Sequence, residues 1–431
     1  MKKMKKFLSL CLALSMTLAL AACGSKDETA DPAPEAEGDT AAQTEITLWA
    51  FPTFGVDSGY EQELADAFMA ANSDVKVVVE TIDFQSGPDA LVSAINAGTA
   101  PDILFDAPGR IIEYGNAGNL VKLDDIIETL KGDLANEALL ETCVGADGSY
   151  YMYPISSSPF YMGLNKEMLE QADALQYVNL EGDRTWTTEN FVKMCEALRD
   201  AGVCMTPGIV YCGGQGGDQG TRGLVNNLFS SGIVGEDGKW NIDANGVKAL
   251  ETLQSMYNDK AIDAGFTMAA ADELQQFQQE TCAMTFCWGT SNAKSYASED
   301  YTAISVPFPS DDGVPELEYL VNGFCVFDNK DAAKADASKR FIQFICDDAE
   351  WGPKSVKQTG AFPVRASFGN LYEGDEEMSL LASWSQYYGP YYNTRAGFAA
   401  MRPLWFNMLQ EVFNGTPVQE AADAFNAGAN G

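Results

Sequence analysis

The stretch PDALVSAINAGTAPDILFD, residues 88–106, predicts a helix, its end and a buried strand in close succession. Pro88 suits the first turn of a helix, because the N–H that proline lacks has no partner there in any case. Leu91 and Ile95 are four residues apart, so they share the inner face of that helix. Gly98 suits the left-handed residue that ends a helix, and the apolar run DILF then predicts a strand.

The residues before this stretch show the same alternation. Short β-rich runs at 46–51 and 75–82 predict strands, and Leu64 and Phe68 recur at helical spacing between them. With the strand at 102–105 the order is β-α-β-α-β, which is typical of an α/β fold with a mainly parallel sheet covered by helices. Further helices are predicted near residues 109–117, 124–130, 165–174, 188–200, 246–260, 271–280 and 331–347, and from about 417, where Thr416, Pro417 and Gln419 are capping signals.

The amino terminus has the order of regions found in a secretory signal. Four lysines precede residue 7, and the apolar run over 7–22 is too short and wrongly flanked for a membrane-spanning helix. The sequence LAAC at 20–23 resembles the bacterial lipobox, which implies that Cys23 becomes the first mature residue and carries a diacylglycerol. The alternative is an ordinary signal peptide with a cysteine there by chance. Residues 1–22 are therefore expected to be a lipoprotein signal peptide.

An acidic segment follows the predicted anchor. Residues 24–44 carry six carboxylates, one lysine and no apolar residue large enough to start a core. Residues 23–44 are therefore expected to be the lipidated cysteine and a disordered tether. A flexible coil of this length spans roughly 25 Å, so the folded part is expected beside the membrane, on the extracellular face of the cell.

The rest of the chain is long enough for two lobes with separate cores. Loss of the four signal lysines lowers the net charge from −35 to −39. A charge of that sign repels nucleic acid and acidic head groups over long range, so neither is expected as a partner. We attribute the acidity to solubility at the cell surface rather than to a cationic ligand.

The sequence contains no histidine. This excludes Ser-His-Asp and Cys-His nucleophile systems, HExxH zinc sites and the commonest transition-metal ligand. Carboxylates are numerous enough for a glycosidase pair, but nothing in the sequence marks any two of them as one. Eight cysteines follow Cys23 without CxxC spacing, and their redox state stays open because an even count fixes no pairing.

Two short motifs look like ligand sites without matching them. The glycine cluster at 213–217 fails the GxGxxG spacing, so a flexible loop is the better interpretation. Residues 241–246 look like the start of a calcium loop, but position twelve is Thr252 and Glu251 comes one place early. A turn that caps the next helix is predicted instead. No metal or cofactor is expected.

Several stretches occur in the order found in one family. The chain resembles the extracellular solute-binding proteins of bacterial ABC importers, in particular the sugar-binding group that includes the maltose- and multiple-sugar-binding lipoproteins. The likeness runs from about residue 45 to the end, and the order of its motifs behind a lipobox is more specific than any single motif. These motifs are residues 46–49, 96–103, 148–154, 164–169, 185–191, 281–289 and 359–365.

The resemblance implies two α/β lobes joined by hinge crossings, with a ligand captured between them by a closing motion. By likeness, lobe one is expected at 45–155 plus 306–345, and lobe two at 156–305 plus 346–431. A ligand that touches both lobes favours the closed state, which is the shape that the membrane permease recognises. The resemblance further implies a monomer that binds carbohydrate and ABC permease subunits, and that makes or breaks no bond.

A sugar presents apolar C–H faces and a rim of hydroxyl groups, so aromatic and polar side chains are expected together in its site. In open α/β sheets such groups collect at the carboxyl ends of strands. On lobe one this predicts Trp49, Phe51 and Phe54 after the first strand, Gln85 after the second and Asp106 after the third. The alternatives are core packing for Trp49 and the capping of helix 109–117 for Asp106.

On lobe two the resemblance gives Trp288, after a strand at 283–287, as the stacking aromatic. An aromatic loop at 387–393 lies where the family lines its cleft. Core packing is the alternative for both. The further candidates on this side are Trp384, Tyr391, Tyr392 and Arg395 around that loop, Phe160 past the first crossing, Arg222 as a ligand contact or ion-pair partner, and Asn322 in a glycine turn.

Other functions stay open on the sequence. Adjacent tyrosines suit ferric ion, because phenolate oxygen is a hard ligand, and carboxylates between aromatic walls suit a polyamine. A surface glycoside hydrolase would need two carboxylates about 5–10 Å apart across one cleft. A purely adhesive surface protein would need no hinge.

Overall fold

The buried apolar residues form two separate cores, one in each of two lobes. The core of lobe one contains Leu104 and Phe341, and the core of lobe two contains Leu164 and Trp405. Helices and strands contribute to both cores, so the predicted two-lobed α/β fold is confirmed. The computed structural model describes residues 43–52, 54–55, 59–83, 86–214, 216–296 and 298–431.

The strands and helices of the described residues are numbered along the chain. The strands are β1 (Thr44–Ala50), β2 (Val75–Thr81), β3 (Ile103–Asp106), β4 (Tyr153–Pro159), β5 (Tyr161–Asn165), β6 (Ile209–Tyr211), β7 (Asp263–Gly265), β8 (Met284–Trp288), β9 (Ala303–Val306), β10 (Tyr319–Val326) and β11 (Phe362–Pro363). The helices are α1 (Tyr60–Ala71), α2 (Gly87–Ala97), α3 (Pro108–Asn116), α4 (Asp124–Ile127), α5 (Ala138–Glu141), α6 (Lys166–Gln171), α7 (Thr188–Ala201), α8 (Gln219–Leu228), α9 (Ala244–Asn258), α10 (Ala270–Gln278), α11 (Thr290–Ser295), α12 (Ala332–Asp347), α13 (Trp351–Gln358), α14 (Glu376–Ser383), α15 (Phe398–Phe413) and α16 (Val418–Ala429).

Lobe one contains a six-stranded sheet with the order β11-β4-β10-β3-β1-β2. Strand β1 pairs in parallel with β2 and β3, as the β-α-β-α-β pattern predicts. Strand β10 runs antiparallel to both β3 and β4, and β11 runs antiparallel to β4. The sheet is therefore mixed, with its parallel part formed by the first three strands.

Lobe two contains an antiparallel sheet with the order β8-β5-β9 and a separate parallel pair, β6 and β7. The predicted mainly parallel arrangement is thus wrong for the larger sheet of lobe two and for the second half of the lobe-one sheet. Strands β4, β5, β9 and β10 adjoin the crossings, where the chain leaves one lobe and returns to it in the opposite direction. Such strands pair antiparallel, whereas a helical crossover within one lobe gives parallel pairs.

Three segments carry the chain between the lobes. Only Phe160 separates the end of β4 in lobe one from the start of β5 in lobe two. The second crossing runs over residues 307–318, from β9 to β10, and the third follows β11. These crossings are the places where a relative motion of the lobes has to be absorbed.

The lobe boundaries differ from the expected ones at the second and third crossings. Phe308 and Leu317 pack in the core of lobe two, so the return to lobe one comes at β10 and not at 306. Cys346, Val356 and Val364 pack in the core of lobe one, so this lobe extends past 345 to at least 364. Helix α13 follows α12 on the same lobe, and no change of composition marks a boundary between them.

Local signals place several helix ends correctly. Gly98 ends α2 with a φ of 69°, and α16 begins at Val418, one residue after the predicted start. The Asp243 side chain accepts a hydrogen bond of 2.8 Å from the N–H of Gly246, so residues 241–246 cap α9 as predicted. The expected cap of α16 is different, because the Thr416 hydroxyl donates to a Glu411 carboxylate at 2.6 Å instead.

Glu273 on α10 places a carboxyl group inside the core of lobe two. The Thr285 hydroxyl donates to it at 2.6 Å and the N–H of Phe286 donates at 3.0 Å, and no lysine or arginine of the described residues forms an ion pair with it. Burial raises the pKa of Glu273 from 4.5 to about 8, although both hydrogen bonds oppose the rise. The folded protein therefore holds this proton more tightly than the unfolded chain does.

Stability should consequently fall as the pH rises from about 4.5 through about 8, because the folded state then has to ionise a buried carboxyl group. We expect Glu273→Gln to remove this loss and to raise the free energy of unfolding by up to roughly a few kcal/mol at about pH 9, and by less at about pH 6. Urea unfolding at both pH values measures the effect, with the exposed carboxylate variant Glu251→Gln as control. An unchanged pH dependence in Glu273→Gln would contradict this account.

Candidate ligand-binding site where the lobes meet

An ion pair stands at the carboxyl end of β3. Asp106 is 3% exposed, and its two carboxylate oxygens accept hydrogen bonds of 2.6 Å each from Nε and Nη2 of Arg110, on the first turn of α3. The N–H of Ala107 also donates to Asp106, at 2.7 Å. Burial raises the pKa of Asp106, and the hydrogen bonds from Arg110 oppose that rise. Asp106 does not cap α3, whose N-cap residue is Ala107.

The Arg110 side chain also covers an aromatic ring. Its guanidinium carbon lies 4.7 Å from the ring centroid of Phe51, which follows β1, at cation–π distance. Nε and Nη2 face Asp106, so Nη1 is the part of the guanidinium left for a further acceptor. Arg110 is partly exposed, whereas Asp106 and Phe51 are buried. The lobe-one side of the site thus presents a guanidinium held in place by an acid and a ring.

Helix α3 meets the carboxyl-terminal part of lobe two. A Cβ atom added at Gly109 would lie 3.7 Å from the backbone oxygen of Asn393. Asn393 directly follows residues 387–392, which we call the tyrosine loop. The loop therefore ends opposite the helix that carries Arg110.

The tyrosine loop touches both lobes. Tyr388 stacks on Tyr319 of β10 with ring centroids 4.3 Å apart and planes 6° from parallel, and its hydroxyl donates to the Ser157 hydroxyl at 3.1 Å. Tyr392 packs in the core of lobe two, where its ring lies 6.3 Å from that of Trp240. The loop thus bridges the sheet of lobe one and the core of lobe two.

A second charge cluster lies on the lobe-two side. Arg222 on α8 is 1% exposed, and its Nε and Nη2 donate to Glu318 at 2.9 and 2.6 Å, while its Nη1 contacts Asp218. Arg402 on α15 donates to Asp218 through Nε at 3.0 Å and Nη2 at 2.6 Å. The guanidinium groups of Arg222 and Arg402 lie 5.3 and 5.6 Å from the ring centroid of Phe398. Arg222 is therefore an ion-pair partner, one of its two predicted roles.

Trp288, the predicted stacking aromatic, lies in the core of lobe two in this structure. It is 1% exposed, and its ring meets Phe277 edge-on with centroids 5.4 Å apart. A Cβ atom added at Gly163 on the neighbouring strand β5 would lie 2.9 Å from the indole. Because the indole is enclosed by its own lobe, the alternative of core packing describes Trp288 better than ligand stacking.

Other predicted aromatic contacts are also core residues. Phe54 packs between Phe105 and Phe324, with ring centroids 5.0 and 5.6 Å away. Trp384 lies edge-on to Tyr161 and is fully buried. Packing within a lobe covers the faces of Phe54, Trp384 and Tyr392 in this structure, and their contact with a ligand stays a prediction.

The remaining candidates are more varied in exposure. Trp49, Phe160 and Tyr391 are half-buried and Arg395 is exposed. Asn322 is buried within β10 at a bulge opposite β4, so the expected glycine turn is a strand. Gln85 and Cys23 lie outside the described residues. The structure therefore brings Asp106 and Tyr391 towards the meeting of the lobes, whereas Phe51 is fully buried in the lobe-one core beneath the Arg110 guanidinium. Contact of these residues with a ligand stays a prediction.

Several polar residues of these clusters were not predicted from the sequence. Arg110 stands four residues after Asp106, and Arg222 stands four residues after Asp218, a spacing that pairs opposite charges on a helix. That spacing is a signal which could have identified Arg110. Glu318 and Arg402 are distant in sequence from their partners, so no local pattern indicates them.

The described residues contain no group of three or more Cys, Asp or Glu side chains arranged to hold a metal ion. Their eight cysteines are free thiols, and all but Cys204 are buried. None of the helices in the described part of the chain combines the length and apolar character that a membrane span requires.

Two α/β lobes, three crossings, and aromatic and charged side chains where the lobes meet define a two-lobed binding protein. The family described as bacterial extracellular solute-binding protein matches residues 63–378 of the chain. Because this match covers more than half of the sequence, the chain belongs to that family.

Solved structures share the fold over nearly the whole chain. The cyclic α-maltosyl-1,6-maltose binding protein of Arthrobacter globiformis has a TM-score of 0.71 and 18% identity, covering 90% of this chain and 98% of its own. A Thermotoga lettingae solute-binding protein bound with α-D-tagatose has a TM-score of 0.68 and 17% identity, covering 90% and 100%. The GacH receptor of Streptomyces glaucescens, solved with acarbose, has a TM-score of 0.67 and 17% identity, covering 89% and 97%.

The burial of Trp288 leads to a stability prediction. We expect Trp288→Ala to lower the free energy of unfolding by about 3–5 kcal/mol, because the truncation leaves a cavity against Phe277. Trp288→Phe should recover part of this loss, since it keeps an aromatic edge contact. Urea unfolding of both variants measures the two costs. A loss below about 1 kcal/mol for Trp288→Ala would place the indole outside the core.

Proposed function

We propose that the mature protein is the extracellular substrate-binding component of an ABC importer, that it captures a mono- or oligosaccharide between its lobes, and that it delivers this sugar to the permease. Membership of the solute-binding family supports the binding role. Proteins of the same fold have been solved in complex with maltose, acarbose, tagatose and ribitol. The proposal adds the carbohydrate class and the permease partner to the family assignment.

The observation that carries the carbohydrate proposal is the Arg110–Asp106 pair over Phe51, where α3 meets Asn393. Sugar hydroxyl groups both donate and accept hydrogen bonds, so a guanidinium Nη1 and the Asn393 amide are suitable partners. The partly buried rings of Trp49 and Tyr391 offer faces for C–H groups of the sugar. These residues come from both lobes, which a ligand held between the lobes requires.

Capture follows from linkage between binding and closure. A sugar that contacts both Arg110 and Asn393 binds the closed arrangement more tightly than an open one, so it shifts the population towards closure. The three crossings let the lobes move as units, because each lobe keeps its own core. No bond of the sugar is broken in this cycle, and the permease recognises the closed shape.

Ferric ion is a less suitable cargo than sugar. Iron binding by tyrosine requires the phenolate form. Burial raises the pKa of both Tyr388 and Tyr392 above the usual range, so their phenolates are disfavoured. Tyr388 is also engaged in stacking on Tyr319 and in a hydrogen bond to Ser157.

We propose further that Cys23 carries a diacylglycerol and that the residues between it and the start of β1 at Thr44 form the tether to the membrane. Two acyl chains give stable membrane anchoring, whereas a single chain binds reversibly. An anchored receptor would present captured sugar next to the permease. This part of the proposal rests on the LAAC sequence and the signal-like residues before it.

The carbohydrate proposal is tested with the mature chain, residues 24–431, produced without lipid. A thermal-shift screen with maltotetraose, acarbose, tagatose and ribitol should identify a binder, since a ligand at about a hundred times its Kd adds roughly 2.7 kcal/mol of apparent stability. Calorimetry should then show that Arg110→Gln lowers the affinity about 10- to 100-fold, because a charged hydrogen bond is lost.

The matched control is Arg340→Gln, which removes a guanidinium on α12 that pairs with Asp74 at the surface of the same lobe. Its sugar affinity should equal that of the wild type. The carbohydrate proposal would be refuted if no sugar or polyol stabilised the protein. Unchanged affinity in Arg110→Gln would instead place the sugar away from this ion pair.

The anchor is tested by Cys23→Ser in the full chain. We expect this variant to leave the membrane fraction and to lack the mass of a diacylglycerol, because the thiol that receives the lipid is gone. Cys11→Ser, within the apolar run of the signal, makes the same chemical change and should stay lipidated and membrane-bound. Cell fractionation measures membrane association, and mass spectrometry measures the lipid mass. A Cys23→Ser protein that stays membrane-bound would count against the anchor.

A further inference from the structure

Two of the crossings change lobe at residues that lie side by side. Leu317 packs in the core of lobe two and Tyr319 in the core of lobe one, so the second crossing changes lobe at Glu318. The first crossing changes lobe at Phe160, between β4 and β5. The N–H of Phe160 donates to the backbone oxygen of Glu318 at 2.8 Å. We call Phe160 and Glu318 the pivots, because a rotation of the lobes has to be absorbed at both.

The backbone of the tyrosine loop is bonded to the lobe-two side of the second pivot. The N–H of Leu317 donates to the backbone oxygen of Tyr387 at 2.7 Å, and the N–H of Gly389 donates to the backbone oxygen of Leu317 at 3.0 Å. Tyr388 lies between these two hydrogen bonds and pairs with Leu317 as in a parallel strand. Tyr387 and Tyr392 pack against the core of lobe two. The backbone of Tyr388 therefore moves with lobe two.

The side chain of Tyr388 contacts the other lobe. It packs against the core of lobe one, where its ring stacks on Tyr319 with centroids 4.3 Å apart. Its hydroxyl donates to the Ser157 hydroxyl on β4 at 3.1 Å. Leu317 and Tyr319 stand on either side of the second pivot, so Tyr388 contacts both sides of it. We call the pairing with Leu317 and the contacts with Tyr319 and Ser157 together the Tyr388 clamp.

A rotation of the lobes cannot leave the whole clamp intact. It turns Tyr319 and Ser157 relative to Leu317, and the backbone of Tyr388 follows Leu317. A ring stack with planes 6° from parallel and a hydrogen bond both depend on orientation, so the Tyr388 side chain loses contacts when the lobes turn. The clamp therefore favours the lobe arrangement of this structure, in which α3 meets Asn393.

We propose that Tyr388 is a positioning residue for sugar capture, which clamps the second pivot and populates the arrangement of the lobes that binds sugar. An arrangement that is populated before the ligand arrives raises the apparent affinity, so Tyr388 strengthens binding without touching the sugar. This effect on affinity rests on the proposed function. The clamp itself is a property of the protein without sugar.

The clamp is tested on residues 24–431 without sugar, by hydrogen–deuterium exchange with mass spectrometry and by small-angle X-ray scattering. We expect Tyr388→Ala to speed exchange about tenfold in peptides that contain Phe160 or Leu317, because a ring stack and a hydrogen bond are lost. The radius of gyration should rise as the lobes move apart. Tyr388→Phe keeps the stack, and Ser157→Ala removes the same hydrogen bond from the other side, so both should give a smaller and equal increase in exchange.

Tyr257→Ala is the matched control. Tyr257 is a half-buried tyrosine on α9, and its ring packs on Phe413 within lobe two with centroids 5.3 Å apart. Its loss removes an aromatic contact of similar size that does not cross a pivot. Exchange at the pivots and the radius of gyration should therefore equal those of the wild type.

Calorimetry with maltotetraose measures the step that rests on the proposed function. The affinity should be about tenfold lower in Tyr388→Ala and unchanged in Tyr257→Ala, because only the first change depopulates the binding arrangement. A wild type that binds no sugar refutes the carbohydrate proposal, and exchange and scattering then decide on the clamp alone. The two failures are thus distinguishable.

Three results overturn the proposal: unchanged pivot exchange and radius of gyration in Tyr388→Ala, an equal increase in Tyr257→Ala, or a lower maltotetraose affinity in Tyr388→Ala with unchanged exchange and radius. The last result would make Tyr388 a direct sugar contact. If Tyr388→Ala does not fold, Tyr388→Phe and Ser157→Ala decide, and the absence of faster pivot exchange in both overturns the proposal.

Discussion

The guanidinium group of Arg222, buried in lobe two, fixes the position of the second crossing between the lobes. Arg222 is almost completely buried, and the carboxylates of Glu318 and Asp218 compensate its charge. Removing one partner of such a buried pair leaves an uncompensated charge and costs about 3–5 kcal/mol. Helix α8 and the end of the second crossing are therefore held together, and Arg402 ties α15 to the same cluster. The end of the second crossing, where the chain enters lobe one, is therefore held against lobe two.

The contacts between the lobes are weaker than this buried ion pair. Weaker contacts can break and form again when the lobes move. Tyr388 stacks on Tyr319 and shares a single hydrogen bond with Ser157, while Asn393 lies beside Gly109. A neutral hydrogen bond contributes only about 0.5–1.5 kcal/mol, so these contacts can be remade when the lobes move. Each lobe has its own core, so a motion of one lobe relative to the other need not break either core. A ligand between them needs to supply only the difference between open and closed arrangements.

The sequence predicts what local signals determine and fails where distant segments decide. Helix α2 and strand β3 were predicted within two residues, because Pro88, Gly98 and the apolar run after it act over a few positions. The antiparallel pairing of β10 with β3 and β4 depends on residues more than a hundred positions apart, and no local pattern encodes it. The aromatic candidates, whose contact with a ligand stays a prediction, illustrate a related point. A large ring such as Trp288 suits a core and a sugar site equally, and only the packing of the folded lobe decides between them.

The central claim is that a sugar held between the lobes closes them. Small-angle X-ray scattering of the mature chain, with and without saturating maltotetraose, tests it most directly, because closure lowers the radius of gyration without any label. The account predicts a smaller radius of gyration in the sugar-bound protein. Calorimetric binding of maltotetraose with an unchanged radius of gyration would contradict it, because the sugar would then occupy one lobe without drawing in the other.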